Sequence, residues 1–434
     1  VRINKLGLQT GAVLAALALV ATGCRGGDDG GGGGGGEGAI DAPGVTSEPC
    51  PDAVNQDNGC IYLGTISDLS AGPFAALGGP ITDAQAAFWQ RVNEDGGIEG
   101  YDIDATEYVR DNLYNPETHS QLYTEIEPDV LALAQTLGSP TTLAILDRMK
   151  EQSVIGAPAS WTSLWGFEDN ILESGSSYCV DAMNAVDYYV EQDDAQSVMA
   201  VGFPGDYGGD GAAGAEAAAE ANGIEFAEFV ETAPGAEAQA GAVSAIVRAD
   251  PDVVILGVGP TETAVIVGQA AAQGYQGRFV GLAPTWNPAL LESPAAEALQ
   301  GLFTHAGPWG SFGTDTPGHE AMRTALGDVD PNDGYTSGWA WSYPLKAALE
   351  SWLSGDYDKT REGLVEAVGD LESVDFEGML PEEAGDRTQD NDIFRQTVLS
   401  SVDPEADAGL TVLQDFTEGP SAAGFDFTGA CFEG

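Results

Sequence analysis

Positive charge is scarce in this chain: 15 Lys and Arg stand against 69 Asp and Glu, a formal net charge of −54. The lysines are only Lys5, Lys150, Lys346 and Lys359. So few cations cannot build the basic surface that phosphate binding needs, which excludes a nucleic-acid partner. The acids are scattered without an acidic block and read as a solvated surface suited to salt. Histidine is rarer still. His119, His305 and His319 lie far apart and no close Cys-x-x-Cys pair exists, so zinc-ligand spacing is lacking and neither metal nor other cofactor is expected. No Gly-x-Ser-x-Gly elbow, no Gly-x-x-x-x-Gly-Lys loop and no His-Glu-x-x-His pair occurs, so no enzymatic activity is expected, and any ATP must be hydrolysed by another protein. Asp328, Asp330 and Asn332 begin like a calcium loop, but Asp333 stands where its glycine belongs and Trp339 where its last glutamate belongs. That stretch reads as a polar turn before a helix whose Trp339, Trp341 and Tyr343 belong to the core. Beyond residue 23 no apolar run approaches the roughly 20 residues that span a bilayer.

What is present begins with a export-type start. Arg2 and Lys5 precede an apolar run at 6–20 and the small-residue box Ala21-Thr22-Gly23-Cys24, the layout of a lipoprotein signal. Residues 1–23 are expected to be removed and Cys24 to carry the lipid. One acyl chain anchors only marginally, so several are needed. Residues 24–59 read as a flexible linker that includes an unbroken glycine run at 30–36, since residues 25–49 have almost nothing to bury. Those 25 residues span roughly 28 Å as a coil. The protein is therefore expected on the extracytoplasmic face of the membrane.

Cys50, Cys60, Cys179 and Cys431 remain after Cys24, an even number for an oxidising compartment. Three pairings are open. The favoured one joins Cys50 to Cys60, pinning the linker to the first strand, and Cys179 to Cys431, tying the far end into a second lobe.

From Cys60 onward apolar strands alternate with amphipathic helices, which predicts α/β architecture with parallel sheets. Strands are expected at 61–66, 101–109, 130–134 and 154–157, with a helix bearing Ile81, Ala84, Phe88 and Val92 on one face and stopped by Gly96-Gly97. Ser139-Pro140 predicts a helix start with serine as N-cap and proline at the first helical position. The pattern restarts with helix 178–192, strand 198–203, an alanine-rich helix at 211–222, strands at 224–230, 253–258 and 279–282, and a helix at 263–273. About 370 residues exceed one compact core, and two lobes fit better.

The strings Gly64-Thr65-Ile66-Ser67-Asp68-Leu69-Ser70-Ala71-Gly72-Pro73 and Asn93-Glu94-Asp95-Gly96-Gly97-Ile98-Glu99-Gly100 come first in order. Leu137-Gly138-Ser139-Pro140-Thr141, Asp206-Tyr207-Gly208 and Val374-Asp375-Phe376-Glu377-Gly378 follow. In that order and spacing the chain, from about Ile61 to Phe416, resembles the branched-chain amino-acid (leucine)-binding family, the type I periplasmic solute-binding proteins of ABC transporters. The resemblance implies two Rossmann-like lobes joined by a three-segment hinge. They are expected at 60–175 with 308–372 and at 176–307 with 373–434, with crossovers near 174–177, 304–307 and 373–376. It further implies a small-molecule ligand in the cleft, an ABC permease and a separate ATPase as partners, and a monomer. A sensing receptor acting with a separate signalling partner is the alternative.

In open parallel sheets ligands sit beyond the carboxyl ends of the strands. On that rule and the matched motifs, Ser139 and Thr141 at a helix N-terminus would hold an anionic or amide head, with Ala159 and Ser160 completing it. Ser139 as a plain cap and Ser160 as a turn-former are the alternatives. Tyr207 is expected to be exposed by the turn before Gly208-Gly209 and to close over ligand. Phe74, Leu77, Pro260, Thr285 and Trp286 would face the rest of the ligand. Where amino-acid binders place an acid for the α-ammonium, this chain has Ala283-Pro284-Thr285-Trp286-Asn287. An ammonium buried without a partner is costly. Either another acid such as Asp68 or Asp206 serves, or the ligand is an amide, a modified amino acid or an aromatic acid without a free amine.

Overall fold

The computed structural model describes residues 40, 42–388 and 393–432. The signal segment, Cys24 and the glycine run lie outside the described residues. No described helix is long and apolar enough to cross a membrane.

The first of two sheets contains β1 (Val45–Thr46), β2 (Gly59–Ser67), β3 (Tyr101–Asp111), β4 (Ala132–Leu137) and β5 (Gly156–Ala159). β2 pairs in parallel with β3 and β4, β4 in parallel with β5, and β1 alone runs antiparallel. Its crossovers are α1 (Ala75–Glu94), α2 (Pro116–Ile126) and α3 (Ser139–Glu151). Ile81, Ala84, Phe88 and Val92 of α1 are all buried, as their spacing requires of a core-facing stripe. Pro80 inside this helix has no N–H to give Ala76 O, and Asn287 Nδ2, from beyond the other sheet, donates to that carbonyl at 3.2 Å.

After α4 (Tyr178–Asp193) the second sheet begins. It is built from β6 (Ser197–Gly202), α5 (Asp206–Asn222), β7 (Glu225–Glu231), α6 (Ala240–Ala249), β8 (Val253–Gly257), α7 (Pro260–Ala272), β9 (Arg278–Leu282), α8 (Ala296–Leu302) and β10 (Phe303–Gly307). Helices α9 (Pro317–Leu326), α10 (Asp333–Ala340), α11 (Ser342–Ser354) and α12 (Arg361–Gly369) and the single turn α13 (Glu382–Gly385) follow. Of these α9 and α10 pack on α1, and α11 reaches β5. The chain then adds β11 (Thr397–Val402) and β12 (Leu410–Thr417) to the second sheet, whose order is β12-β11-β10-β9-β8-β6-β7. The five strands from β10 to β7 are parallel, and β11 and β12 are antiparallel. The fold is α/β with two sheets that are mainly parallel, as the alternation predicts.

Both favoured disulfides form, Cys50–Cys60 and Cys179–Cys431. The second lies beside a bridge: Asp210 Oδ2 on α5 accepts from Cys179 N and from Ser163 N, each at 3.0 Å, and Ser163 Oγ accepts from Cys431 N at 2.7 Å.

Three expectations need correction. The linker does not extend to residue 59: Val45 and Thr46 pair with Ile61 and Cys60, and Asn55 and Asn58 donate to the Asp102 carboxylate at 2.8–2.9 Å. Composition misses this, because these residues are held by backbone pairing, a disulfide and one buried acid rather than by apolar mass. Ser139 is not the N-cap of α3. Gly138 is, at φ 97°, and a Cβ there would come within 2.6 Å of the Tyr114 ring, so Ser139 moves one place into the helix. Likewise α5 starts at Asp206 rather than at 211. Gly208 allows it: a Cβ there would meet Phe203 O at 2.1 Å, so this first turn must lie directly on the end of β6.

Candidate functional site

The carboxyl ends of strands from both sheets converge on one cavity. From the first sheet come Phe74 and Leu77 after β2, Gly138 and Ser139 after β4, and Ala159, Ser160 and Trp161 after β5. From the second come Tyr207 after β6, Ala283, Pro284 and Trp286 after β9, and Pro308 and Trp309 after β10. Asp333, Ser337 and Trp341, from α10 and the residue following it, complete one wall. The space free of protein atoms, mouth included, is about 770 Å³.

Aromatic rings form a continuous run along it. Tyr114 meets Phe74 at 4.8 Å, Phe74 meets Tyr207 at 6.0 Å, and Tyr207 meets Tyr178 at 4.6 Å. Tyr178 meets Trp161 at 6.0 Å, and Trp161 meets Trp341 at 4.9 Å and Trp309 at 5.4 Å. Such a lining binds by apolar area and leaves orientation to few polar groups.

Those polar groups divide into committed and uncommitted ones. Tyr207 is buried, and its hydroxyl donates to Val258 O at 3.1 Å. The expectation that a turn exposes it is wrong, because Tyr207 is the second residue of a helix whose Gly208 packs closely on the end of β6. Ser160 Oγ accepts from Trp165 Nε1 at 3.1 Å. Trp286 Nε1 donates to Ala408 O at 2.9 Å, and the ring stacks on Phe303. His305 Nε2 lies 3.0 Å from Ala283 O. A carbonyl only accepts, so Nε2 carries the proton, and burial depresses the imidazole to about 4. Three atoms of cavity-lining residues are buried without any protein partner: Ser139 Oγ, Trp341 Nε1 and Asp333 Oδ2. Ser139 also sits in the first turn of α3, where backbone N–H groups point outward.

Seven of the ten expected residues line this cavity: Phe74, Leu77, Ser139, Ala159, Ser160, Tyr207 and Trp286. Thr141, Pro260 and Thr285 are buried elsewhere. Thr141 turns its hydroxyl back to Leu137 O and to Gly138 O, which closes the tight loop before α3. Pro260 opens α7, and Thr285 lies in a short 3-10 turn beneath the lining. Of the two proposed substitute acids, Asp68 is already engaged by backbone donors. Asp68 gives its two oxygens to Gly72 N and Phe74 N at 2.8 and 2.9 Å, and the side chain of Asp206 lies outside the described residues. Sequence reading missed Trp161 and Trp309, which the strand-end rule applied to β5 and β10 points to. It also missed Tyr114, Tyr178, His305, Asp333 and Trp341, for which no motif gave a signal. Trp339, Trp341 and Tyr343 are all buried in the core, and of the three Trp341 also lines the cavity.

Two mainly parallel sheets with a cavity at their facing strand ends define a binding protein of the two-sheet, cleft-binding class. The family described as periplasmic binding protein matches residues 61–408. The chain belongs to that family, and its fold is the type I fold of the solved structures it resembles. Among solved structures it is similar to a fatty acid ABC transporter substrate-binding protein from Thermomonospora curvata, at 28% identity over 88% of this chain and 96% of that one, TM-score 0.79. It is also similar in fold to a branched chain amino acid ABC transporter from Thermus thermophilus with bound valine, at 17% identity over 84% and 98%, TM-score 0.72. A leucine binding protein from Thermotoga maritima aligns at 16% identity over 82% and 99%, TM-score 0.67. No curated protein matches.

Proposed function

We propose that the chain is the extracytoplasmic substrate-binding lipoprotein of an ABC importer, tethered through Cys24. In this reading it captures a small amino-acid-like ligand, a branched-chain amino acid, an amide or a related acid, and delivers it to a permease whose transport is driven by a separate ATPase. The observation that carries this reading is the cavity, with an aromatic and aliphatic lining drawn from both sheets and the uncommitted Ser139 Oγ in the first turn of α3. An apolar body with one acid or amide head matches that distribution. The solved relatives named for a fatty acid, valine and leucine have such ligands in common.

The lobes in this proposal are 60–175 with 308–372 and 176–307 with 373–434, hinged near 174–177, 304–307 and 373–376. Ligand bridges them and stabilises the closed form that the permease recognises. It shifts the equilibrium only by its preference for that form. The test is thermal unfolding with a panel of branched-chain and aromatic amino acids, their amides, and aromatic and aliphatic acids. A ligand at 100 times its dissociation constant adds about 2.7 kcal/mol. No shift across the panel would sink this ligand class.

A further inference from the structure

The cavity's polar atoms are of opposite kinds. Ser139 Oγ and Trp341 Nε1 can donate to a ligand's acid or amide head. Asp333 offers something different. Its Oδ1 accepts from Phe312 N at 2.7 Å, while Oδ2 is buried with no hydrogen-bond partner. Among the described residues no Lys or Arg lines the cavity, and Asp333 is the one carboxylate that does. Arg323, which braces the same loop, gives its Nη1 to Phe312 O and Thr314 O instead. His305 has its proton turned to Ala283 O. The other buried acids nearby, Asp68, Asp181, Asp210 and Glu262, do not line the cavity, and Glu262 accepts from Gly235 N. A carboxylate oxygen left in apolar surroundings without a donor is costly, and removing that cost rewards a ligand that brings one.

We propose that Asp333 is a specificity-determining residue of the cavity, whose Oδ2 accepts a hydrogen bond from an ammonium or hydroxyl group on the ligand. The cavity then selects acids or amides that carry such a donor over the same skeletons without one. This rests on the amino-acid-like reading above and deepens it: the acid missing near Trp286 is replaced from α10. Burial holds the ligand-free carboxyl up near 7, outweighing the one hydrogen bond from Phe312 N.

The experiment is calorimetric titration of the full chain at pH 8 with skeleton-matched probes. One set is 4-methylpentanoate and leucine. The other is 3-phenylpropanoate, phenylalanine and 3-(4-hydroxyphenyl)propanoate. In at least one set the donor-bearing member is expected to bind about tenfold tighter or more, the size of one charge-assisted hydrogen bond. Asp333→Asn keeps an oxygen for Phe312 N but turns a donor toward the ligand, and it should erase that preference while donor-free acids stay within about threefold. Asp333→Ala serves as the second variant, and both are checked for unchanged unfolding cooperativity. Equal binding of donor-bearing and donor-free probes by the unaltered protein overturns this proposal alone. So does an equal loss of both classes in the Asn variant. If no probe of either set binds, the ligand class of the preceding section falls and this proposal falls with it.

Discussion

Trp339 and Trp341 are two residues apart and equally buried, yet they belong to different parts of the molecule. Trp339 packs edge-on against Phe88 at 5.1 Å and donates from Nε1 to Tyr343 Oη at 3.0 Å. Tyr343 donates onward to Glu377, which holds Arg91 through two hydrogen bonds of 2.9 and 3.0 Å. That chain of donors ends in an ion pair, and its rings are core. Trp341 faces the other way, among Trp161 and Trp309, with Nε1 buried and unpartnered. An orphaned atom alone does not make a site, since Trp89 Nε1, beside Phe88, is also unpartnered and does not line this cavity. The orphan and the cavity together separate the binding cluster from the core cluster.

The two clusters should fail differently when broken. Trp339→Ala removes a fully buried ring and one donor to the Tyr343 hydroxyl, and is expected to lower unfolding stability by about 3–5 kcal/mol. Affinity of the protein that remains folded should stay within about threefold, as measured by denaturant unfolding and titration with a panel ligand. A change under about 1 kcal/mol would place Trp339 outside the core. Trp341→Phe sharpens the contrast from the other side. It keeps an aromatic ring and deletes an N–H that has no partner in the protein, so stability should move by less than about 1 kcal/mol. Ligand affinity should fall by about tenfold, the loss of one donor to an acid or amide head. Unchanged affinity would remove Trp341 from the binding cluster.

The same pair shows how much of this molecule is legible in its sequence. Strand and helix alternation locates the sheets because burial on both faces leaves continuous apolar runs, as in β8, Val253–Gly257, where every residue is buried. The strand-end rule brings out Phe74, Ser139, Ser160 and Trp286 for the same reason, since a parallel sheet has one ligand-facing edge. Asp333 and Trp341 are illegible: they reach the cavity from helices that follow the second sheet and pack back on α1. A distance of more than 190 residues in sequence from Ser139 carries no local pattern. Tyr207 fails more subtly. Asp206-Tyr207-Gly208-Gly209 has turn composition, but Gly208 brings a helix close to the end of β6, and Gly209 makes room for Phe432. Residues 42–59 fail for the converse reason, a polar segment ordered by one strand pair, a disulfide and Asp102.

The smallest expected effect tests the cavity cluster through pH in ligand-free protein. Burial raises the Asp333 carboxyl from 3.8 to about 7, so between those values the folded protein binds a proton that the unfolded chain has released. Stability from this group is therefore fully present below 3.8 and is lost as pH rises through 7. In the core cluster burial raises Tyr343 further above its ordinary value, so that tyrosine stays neutral throughout and contributes no such slope. Asp333→Asn, which stays neutral at every pH, should raise the melting temperature at pH 8 relative to the unaltered protein by on the order of 2 °C. Near pH 4, where the unaltered carboxyl is itself protonated when folded, that gain should disappear. Tyr343→Phe removes the Tyr343 hydroxyl from the core chain and should shift the melting temperature by the same amount at both pH values. Melting curves of the two variants at pH 4 and pH 8 decide it. A gain from Asp333→Asn that is equal at the two pH values would mean that the carboxyl does not change protonation across this range, and that its Oδ2 has a donor even without ligand.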